Sequence, residues 1–479
     1  IDHRLNAKAA VYDTFENYTR SFLDLEDEYF KARAQDVRDV CQRVLRCLAG
    51  ENNFIASPSK PSIVLAEDLT PSDTIQFERK YILGIATVKG GPTSHTAILA
   101  RALGVPAVVS TPLTLSEILP ETMVMVDGTQ GLVIIDPTLH ELGKARERQK
   151  QWVRRQEIER SRSFTVATTK DGHQVEVVAN IGNAEDAAIA IQRGAEGVGL
   201  FRTEFLYLDR QTLPSISEQV SAYKEVFSIM QGKPVVVRTL DIGGDKSVSY
   251  LGISDESNPF LGWRAIRMIR ERPDVLENQL QALLIAGGED QIDLRIMLPL
   301  VASIEEVIRA REIFEAIHQK LSNDGYRLPD QLQFGIMVEV PSAAIIADKF
   351  AKMVDFFSIG TNDLTQYTLA VDRTNERVAD LASPYHPAVL RLIQNTIQAA
   401  HAEGKWVGLC GELAGDPLAV PLLLGAGLDE FSMAPSSIPT IKEAIRAWTL
   451  SKCQEITKNA IQLSKATDVI EFLKELKPE

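Results

Sequence analysis

From Arg4 to Ala49 the chain carries no Gly or Pro. Apolar residues recur at Phe15, Tyr18, Phe22, Leu25 and Tyr29, then at Val37, Val40, Cys41, Val44, Leu45 and Leu48. That spacing predicts helices with one apolar stripe, ended by Gly50. From Pro58 to Pro137 the period changes. Short apolar runs at Ile63–Ala66, Ile82–Ala86, Ala107–Ser110, Val124–Asp127 and Leu132–Ile135 read as strands, and Thr93–Leu103 reads as one helix. Leu139–Ser163 lacks Pro and is dense in Lys, Arg and Glu, so it reads as a solvated linker helix. From Phe164 onward strands and helices alternate. The expected strands are Val175–Asn180, Gly197–Phe201, Val235–Thr239, Leu294–Leu298, Phe334–Val338, Phe356–Ile359, Val407–Cys410 and Glu430–Met433. Helical stretches such as Ile304–Leu321 and Ala388–Glu403 lie between them. Eight strand–helix units predict a (β/α)8 TIM barrel, preceded by a small α/β domain and a helical subdomain. The expected division is 1–52, 53–138, a linker helix at 139–163, and a barrel at 164–479.

Composition narrows the function. The net charge is −14, from 51 Lys and Arg against 65 Asp and Glu. So acidic a chain is not built to bind nucleic acid or an anionic membrane through its overall field. Any anionic ligand must be gripped by locally placed Arg and Lys. The four cysteines, Cys41, Cys47, Cys410 and Cys453, form no CxxC pair and suggest neither a disulfide framework nor zinc. No apolar run reaches the ~18 residues of a membrane span. No secretory signal is read, and a cytoplasmic enzyme is expected. Ile1 stands inside a helical pattern, which reads as a piece of something longer.

A barrel of this kind places its chemistry where strands end. Strand 2 delivers Arg202. Strand 3 ends in Arg238, followed by Asp241, Gly243, Gly244, Asp245 and Lys246. Strand 5 delivers Glu339, strand 6 Asn362 and Asp363 with Arg373 on the loop beyond, and strand 7 ends in Cys410. Singly, each has a plain reading: a surface ion pair for an Arg, a helix N-cap for a carboxylate, a small buried hydrophobe for the Cys. Together they suggest a site. Glu339 and Asp363 offer hard oxygens without a nearby His or Cys, which suits Mg²⁺. Arg202, Arg238 and Arg373 suit a bidentate grip on phosphate and carboxylate. The implied ligand is a phosphorylated acid, and Cys410 is a candidate to pass a proton to carbon.

Of seven histidines, His95 differs from the rest. It lies in Gly90-Gly91-Pro92-Thr93-Ser94-His95-Thr96, at the opening of a predicted helix. Gly permits close backbone approach, and free N–H groups at a helix start favour phosphate and a neutral imidazole. The plain reading is a capped helix that happens to hold a His. If His95 takes phosphate from a barrel ligand, its domain must swing, with the 139–163 helix as the arm.

These residues resemble enzyme I of the bacterial sugar phosphotransferase system, the phosphoenolpyruvate–protein phosphotransferase family, over essentially the whole chain. The stretches that carry the likeness are Thr93-Ser-His-Thr-Ala-Ile-Leu-Ala-Arg101, Gly199-Leu-Phe-Arg-Thr-Glu-Phe205, Arg238-Thr-Leu-Asp-Ile-Gly-Gly-Asp-Lys246, Asn258-Pro-Phe-Leu-Gly-Trp-Arg264, Phe357-Ser-Ile-Gly-Thr-Asn-Asp-Leu-Thr-Gln-Tyr367 and Gly408-Leu-Cys-Gly-Glu412. The resemblance implies that His95 is the phosphohistidine, phosphorylated on Nε2, with Thr74 supporting it. It implies that Arg202, Arg238, Asn362 and Arg373 bind phosphoenolpyruvate, with help near Asp363, and that Arg264 and Lys246 contact phosphate. It implies that Glu339 and Asp363 bind Mg²⁺ and that Cys410 protonates enolpyruvate. It further implies transfer to the histidine carrier protein HPr, a homodimer formed through the barrel, a swivelling phosphohistidine domain at 53–138, and the end of an HPr-docking subdomain at 1–52. Two departures stand out. Family members commonly have Arg or Lys where this chain has Pro92, and they have more chain before the position of Ile1.

Two other readings start from the same residues. Phosphoenolpyruvate synthase and pyruvate phosphate dikinase use a similar swinging His and barrel, but they need an ATP-binding domain, and no Walker-type loop is present. A truncated protein that binds phosphoenolpyruvate or a carrier without turnover is the non-enzymatic reading.

Overall fold

The structure is a computed structural model. It describes residues 6–23, 37, 40, 41, 44, 45, 47, 48, 58–69, 77–91, 94, 96, 97, 99, 100, 104–208, 210–244, 249–251, 256–373, 375 and 377–478. The chain separates into two compact units, Ile1–Val153 and Arg154–Glu479.

In the first unit a helix spans Ala7–Leu23. It is capped by Asn6, whose side-chain oxygen accepts from the Ala9 N–H at 2.8 Å. The rest of the predicted 4–49 helical stretch falls largely outside the described residues. The expected strands follow. β1 (Ser62–Ala66), β2 (Ile82–Thr87) and β3 (Ala107–Val108) form a parallel sheet in that order, and β4 (Val124–Asp127) pairs antiparallel with β5 (Leu132–Ile135). β3 stops short of the predicted Ser110, whose φ of 56° takes the backbone out of the ladder. Leu69, Phe77, Ile82, Ile85 and Ala100 make the core of this unit. The predicted helix at 93–103 is described only in part, with Thr96, Ala97, Leu99 and Ala100 helical.

A helix spans Leu139–Arg162, and the boundary between the units falls within it. It opens on a capping box: Glu141 accepts from the Thr138 N–H, and Thr138 accepts from the Glu141 N–H. Its last turns are fastened within the second unit. Buried Glu159 accepts from Arg155 at 2.7 Å and from Thr440 at 2.8 Å, and Arg162 pairs with Glu443 at 3.0 Å.

The second unit is a closed barrel. β7 (Gln174–Ile181), β8 (Val198–Arg202), β9 (Pro234–Arg238), β10 (Asp293–Leu298), β11 (Leu332–Val338), β12 (Phe356–Ile359), β13 (Trp406–Leu409) and β14 (Glu430–Met433) pair in parallel, each with the next. β14 then returns to β7, with Glu430 beside Glu176 and Met433 beside Ala179. The short β6 (Ala167–Thr168) adds antiparallel to β7. The strands read as continuous apolar runs because both faces are covered. Leu200, Val236, Met297, Met337, Phe356 and Cys410 fill the interior, while Phe201, Val237, Ile296, Leu298 and Ile336 face the surrounding helices. Among the described residues no helix is long and apolar enough to cross a membrane.

Candidate active site

β8, β9, β11, β12 and β13 end on one side of the barrel, and the sequence places charged or polar residues just there. Arg202 closes β8 directly beside Arg238, which closes β9. Arg202 is exposed, whereas Arg238 is buried. The Arg238 guanidinium donates to Glu204 Oε1 at 2.6 Å and meets Asp241 Oδ2 at 3.0 Å. Burial works against its charge. The Glu204, Asp241 and Glu339 carboxylates more than offset that and hold it above its ordinary value.

The segment between β9 and the helix Pro273–Asp290 folds back over the mouth and supplies Arg264. Asp241 holds the Arg264 fork in two places, Nε to Oδ1 at 2.8 Å and Nη2 to Oδ2 at 3.0 Å. Nη1 of the same guanidinium donates to Asp363 Oδ1 and to the Tyr367 hydroxyl, both at 3.3 Å. Tyr367 in turn donates to the Phe260 carbonyl at 2.5 Å, tying this segment to the helix Thr361–Leu369. The close approach requires Gly243, with φ of 117°, because a Cβ there would sit 2.8 Å from that of Arg264. Ala265 takes the left-handed region, with φ of 54°. A non-Gly residue there costs about 1–3 kcal/mol, and such strain tends to gather at functional sites.

Glu339 follows β11 and is almost wholly buried. Its Oε1 accepts from the Leu300 N–H at 2.6 Å, and Leu300 is itself left-handed, with φ of 55°. Burial, then the nearby Asp363 and Asp241 carboxylates, push Glu339 well above the usual carboxylate range, against the pull of Arg238 and Arg264. Asp363 lies in the first turn of Thr361–Leu369. It meets Arg264, and Arg373 Nη2 stands 3.8 Å from its Oδ2. Asn362 accepts from the Glu412 N–H at 3.1 Å, joining the loops after β12 and β13. Cys410 immediately follows β13. Its thiol is directed at the Ile359 carbonyl, Sγ to O 3.7 Å, and its carbonyl accepts from Asn180 at 2.9 Å. Burial pushes the thiol up to about 11. Glu339 adds to the rise, while Ser358, Arg238 and Arg202 oppose it.

The structure thus brings Arg202, Arg238, Arg264, Glu339, Asn362, Asp363, Arg373 and Cys410 to one rim. His95, Thr74 and Lys246 lie outside the described residues. Sequence reasoning missed Glu204, Tyr367 and the pairing role of Asp241. All three stand inside the quoted stretches, and an acid two residues beyond Arg202 or three beyond Arg238 is the signal that was available. A cleft of about 310 Å³ lined by Arg311, Phe314, His318, Phe334 and Asp355 opens at the other ends of β11 and β12, and it holds none of these residues.

Glu339 and Asp363 suit a hard divalent cation. Burial, then the Asp363 and Asp241 carboxylates, raise Glu339, and a bound cation would offset that. Among the described residues no three His, Cys, Asp or Glu side chains cluster closely enough to hold a metal by themselves.

Comparison with known proteins follows the same division. The family described as PEP-utilising enzyme, PEP-binding domain, matches residues 155–450, and PEP-utilising enzyme, mobile domain, matches 58–131. The phosphoenolpyruvate-protein phosphotransferase of Priestia megaterium is 47% identical over 477 residues, covering 99% of this chain and 82% of the relative. That of Bacillus subtilis (strain 168) is 47% identical over 475 residues, with 98% and 82% covered. That of Staphylococcus carnosus (strain TM300) is 46% identical over 475 residues, with the same coverage. The strand-end constellation and this likeness along nearly the whole chain agree: the protein belongs to the phosphoenolpyruvate-protein phosphotransferase (enzyme I) family of PEP-utilising enzymes.

Proposed function

We propose that this chain takes the phosphoryl group of phosphoenolpyruvate onto His95, releases pyruvate, and passes the phosphoryl to an HPr-type histidine carrier. The observation that carries the reading is the convergence of two buried guanidinium groups, Arg238 and Arg264, and the exposed Arg373 on Asp363, Asp241 and Glu204 beside Glu339 and Cys410. The arginines would grip phosphate and carboxylate bidentately, with Arg202, Asn362 and Lys246 completing the substrate contacts. Glu339 and Asp363 would hold Mg²⁺, which when bound would neutralise phosphate charge as it shifts during transfer.

In the transfer the neutral Nε2 of His95, supported by Thr74, attacks phosphorus. The N–P bond forms as the P–O bond to enolpyruvate breaks, its electron pair going to oxygen. The enolate becomes pyruvate when C3 takes the proton of the Cys410 thiol, and the thiolate recovers a proton from solvent. A thiol held up near 11 keeps its proton at neutral pH and is therefore a donor, not a nucleophile. Residues 53–138 would swing to bring His95 to the barrel and away, and residues 1–52 would belong to the carrier-docking part. A cytoplasmic homodimer formed through the barrel completes the reading.

The test is pyruvate release from phosphoenolpyruvate with Mg²⁺ and an HPr carrier. Release that stops when the metal is chelated supports the reading. No release under any of these conditions leaves a binding protein without turnover and sinks it.

A further inference from the structure

Behind the site lies a hydrogen-bonded polar cluster. Gln279, on the helix Pro273–Asp290, is fully buried within a helix face otherwise made of Val275, Leu276, Leu280, Leu283 and Leu284. Both of its N–H donors and its carbonyl are engaged. Nε2 donates to Thr203 Oγ1 at 2.9 Å and to the Tyr223 hydroxyl at 3.2 Å, and Oε1 accepts from the Leu240 N–H at 2.8 Å. Thr203 Oγ1 then donates to the Arg238 carbonyl at 2.9 Å. Tyr223 continues the network to Gln219, which also accepts from Tyr207.

The targets of these bonds matter more than their number. The Arg238 carbonyl and the Leu240 N–H flank Thr239, where β9 leaves the barrel ladder. On the other side, Thr239 N–H donates to the Met297 carbonyl at 2.9 Å. The segment from Arg238 to Asp241 is therefore held on both edges, by β10 on one and by the Thr203–Gln279 pair on the other. Arg238 and Asp241 stand at the two ends of that clamp, and Asp241 aims Arg264. A Gln that only filled the core would be bonded to its own helix or left at a margin. This one reaches out of an apolar face to the backbone carrying the site. Satisfied buried polar networks fix one geometry because every alternative leaves a group unpaired.

We infer that Gln279 and Thr203 are positioning residues for the phosphate-gripping arginines, acting through the backbone on either side of Thr239. This rests on the reading of the site as a phosphoenolpyruvate site.

The test uses the whole chain and single-turnover pyruvate release as phosphoenolpyruvate is varied, which separates half-saturation from limiting rate. Thr203→Val keeps the shape and removes the hydroxyl, while Thr203→Ser keeps the hydroxyl. Thr203→Val and Gln279→Leu are expected to raise the half-saturating concentration by about tenfold or more, and Thr203→Ser to stay within about threefold of the parent. The double variant Thr203→Val/Gln279→Leu should do no worse than either single change, since both break one chain of bonds. If Gln279→Leu does not fold, the Thr203 pair decides alone. A lowered melting midpoint with half-saturation unchanged in Thr203→Val overturns the inference, as does a Thr203→Ser variant as impaired as Thr203→Val. Arg238→Lys serves as the control. If it leaves half-saturation unchanged, or if the parent releases no pyruvate, the site reading fails first and takes this inference with it.

Discussion

Replacing Cys410 by Ala separates two things the thiol does. The side chain is 5% exposed and packs inside the barrel with Leu200, Val236, Met297, Met337 and Phe356. Removing one buried sulfur from such a cluster costs about 1 kcal/mol, as for a deleted methyl. The chemical loss is larger. With its thiol pushed up to about 11, Cys410 is protonated in all but about one molecule in a thousand at pH 8. On the proposed function it is the acid that protonates enolpyruvate. Loss of a positioned general acid lowers a rate by about 10²- to 10⁴-fold. Affinity for phosphoenolpyruvate should change by no more than about threefold, because a neutral thiol holds no charge and contributes at most one weak hydrogen bond. The assay mixes ³²P-phosphoenolpyruvate with the protein and quenches over time. It counts label on protein and assays pyruvate separately. The Ala variant should bind nearly as tightly and form pyruvate slowly. The parent should hold its rate with rising pH until the thiol titrates near 11. Equal losses in binding and rate would mean that Cys410 is a packing residue, and the proton must come from elsewhere.

Other consequences are equally open to measurement. Glu339→Gln keeps an acceptor for the Leu300 N–H but removes a charge, so Mg²⁺-dependent binding and turnover should fall together, by about 10²-fold or more; a loss in one alone would contradict the assigned ligand. At the opposite end of the barrel Glu430 is fully buried, with no hydrogen bond to either oxygen among the described residues and Arg295 Nη1 3.8 Å from its Oε2, and burial, opposed by Arg295 and aided by Glu176, Asp429 and Asp293, pushes it up to about 8. A raised carboxyl makes the folded state bind a proton that the unfolded state releases, so stability should decline as pH rises from about 4.5 to about 8, by a few kcal/mol at most. Glu430→Gln should flatten that decline in urea titrations; identical slopes in parent and variant would count against it. Lys442, fully buried, donates to the Thr165 and Gly194 carbonyls and to Glu196, so Lys442→Met should lower barrel stability by about 3–5 kcal/mol in the same titrations. An unchanged urea midpoint would refute it.

The barrel was legible because each parallel strand, covered on both faces, is a short apolar run, and the polar residue ending the run marks the mouth. Arg202, Arg238, Glu339, Asp363 and Cys410 were found that way. Their partners were not. Glu204 reads as an ordinary first-turn acid after β8. Nothing local says that it pairs with Arg238, 34 residues on, or that Asp241 will bind Arg264, 23 residues on. Those pairings depend on how adjacent strand ends are set around the barrel, which spacing along one segment does not encode. Gln279 offered a faint signal, a polar residue three or four positions from Val275, Leu276 and Leu283 on an otherwise apolar face. Its meaning needed Thr203 and Leu240 brought alongside by the fold. The left-handed turns at Ala265 and Leu300 were hidden as well, since neither residue type announces a positive φ.

On the proposed function, phosphorus leaves phosphoenolpyruvate at this rim and arrives on one imidazole. Peptide mapping after exposure to ³²P-phosphoenolpyruvate and Mg²⁺, with pyruvate counted in the same samples, addresses it directly. The expected result is acid-labile label on His95 alone, matched one for one by pyruvate and absent from His95→Ala. Label on His95→Ala equal to the parent's, or label on the parent without pyruvate, would contradict it.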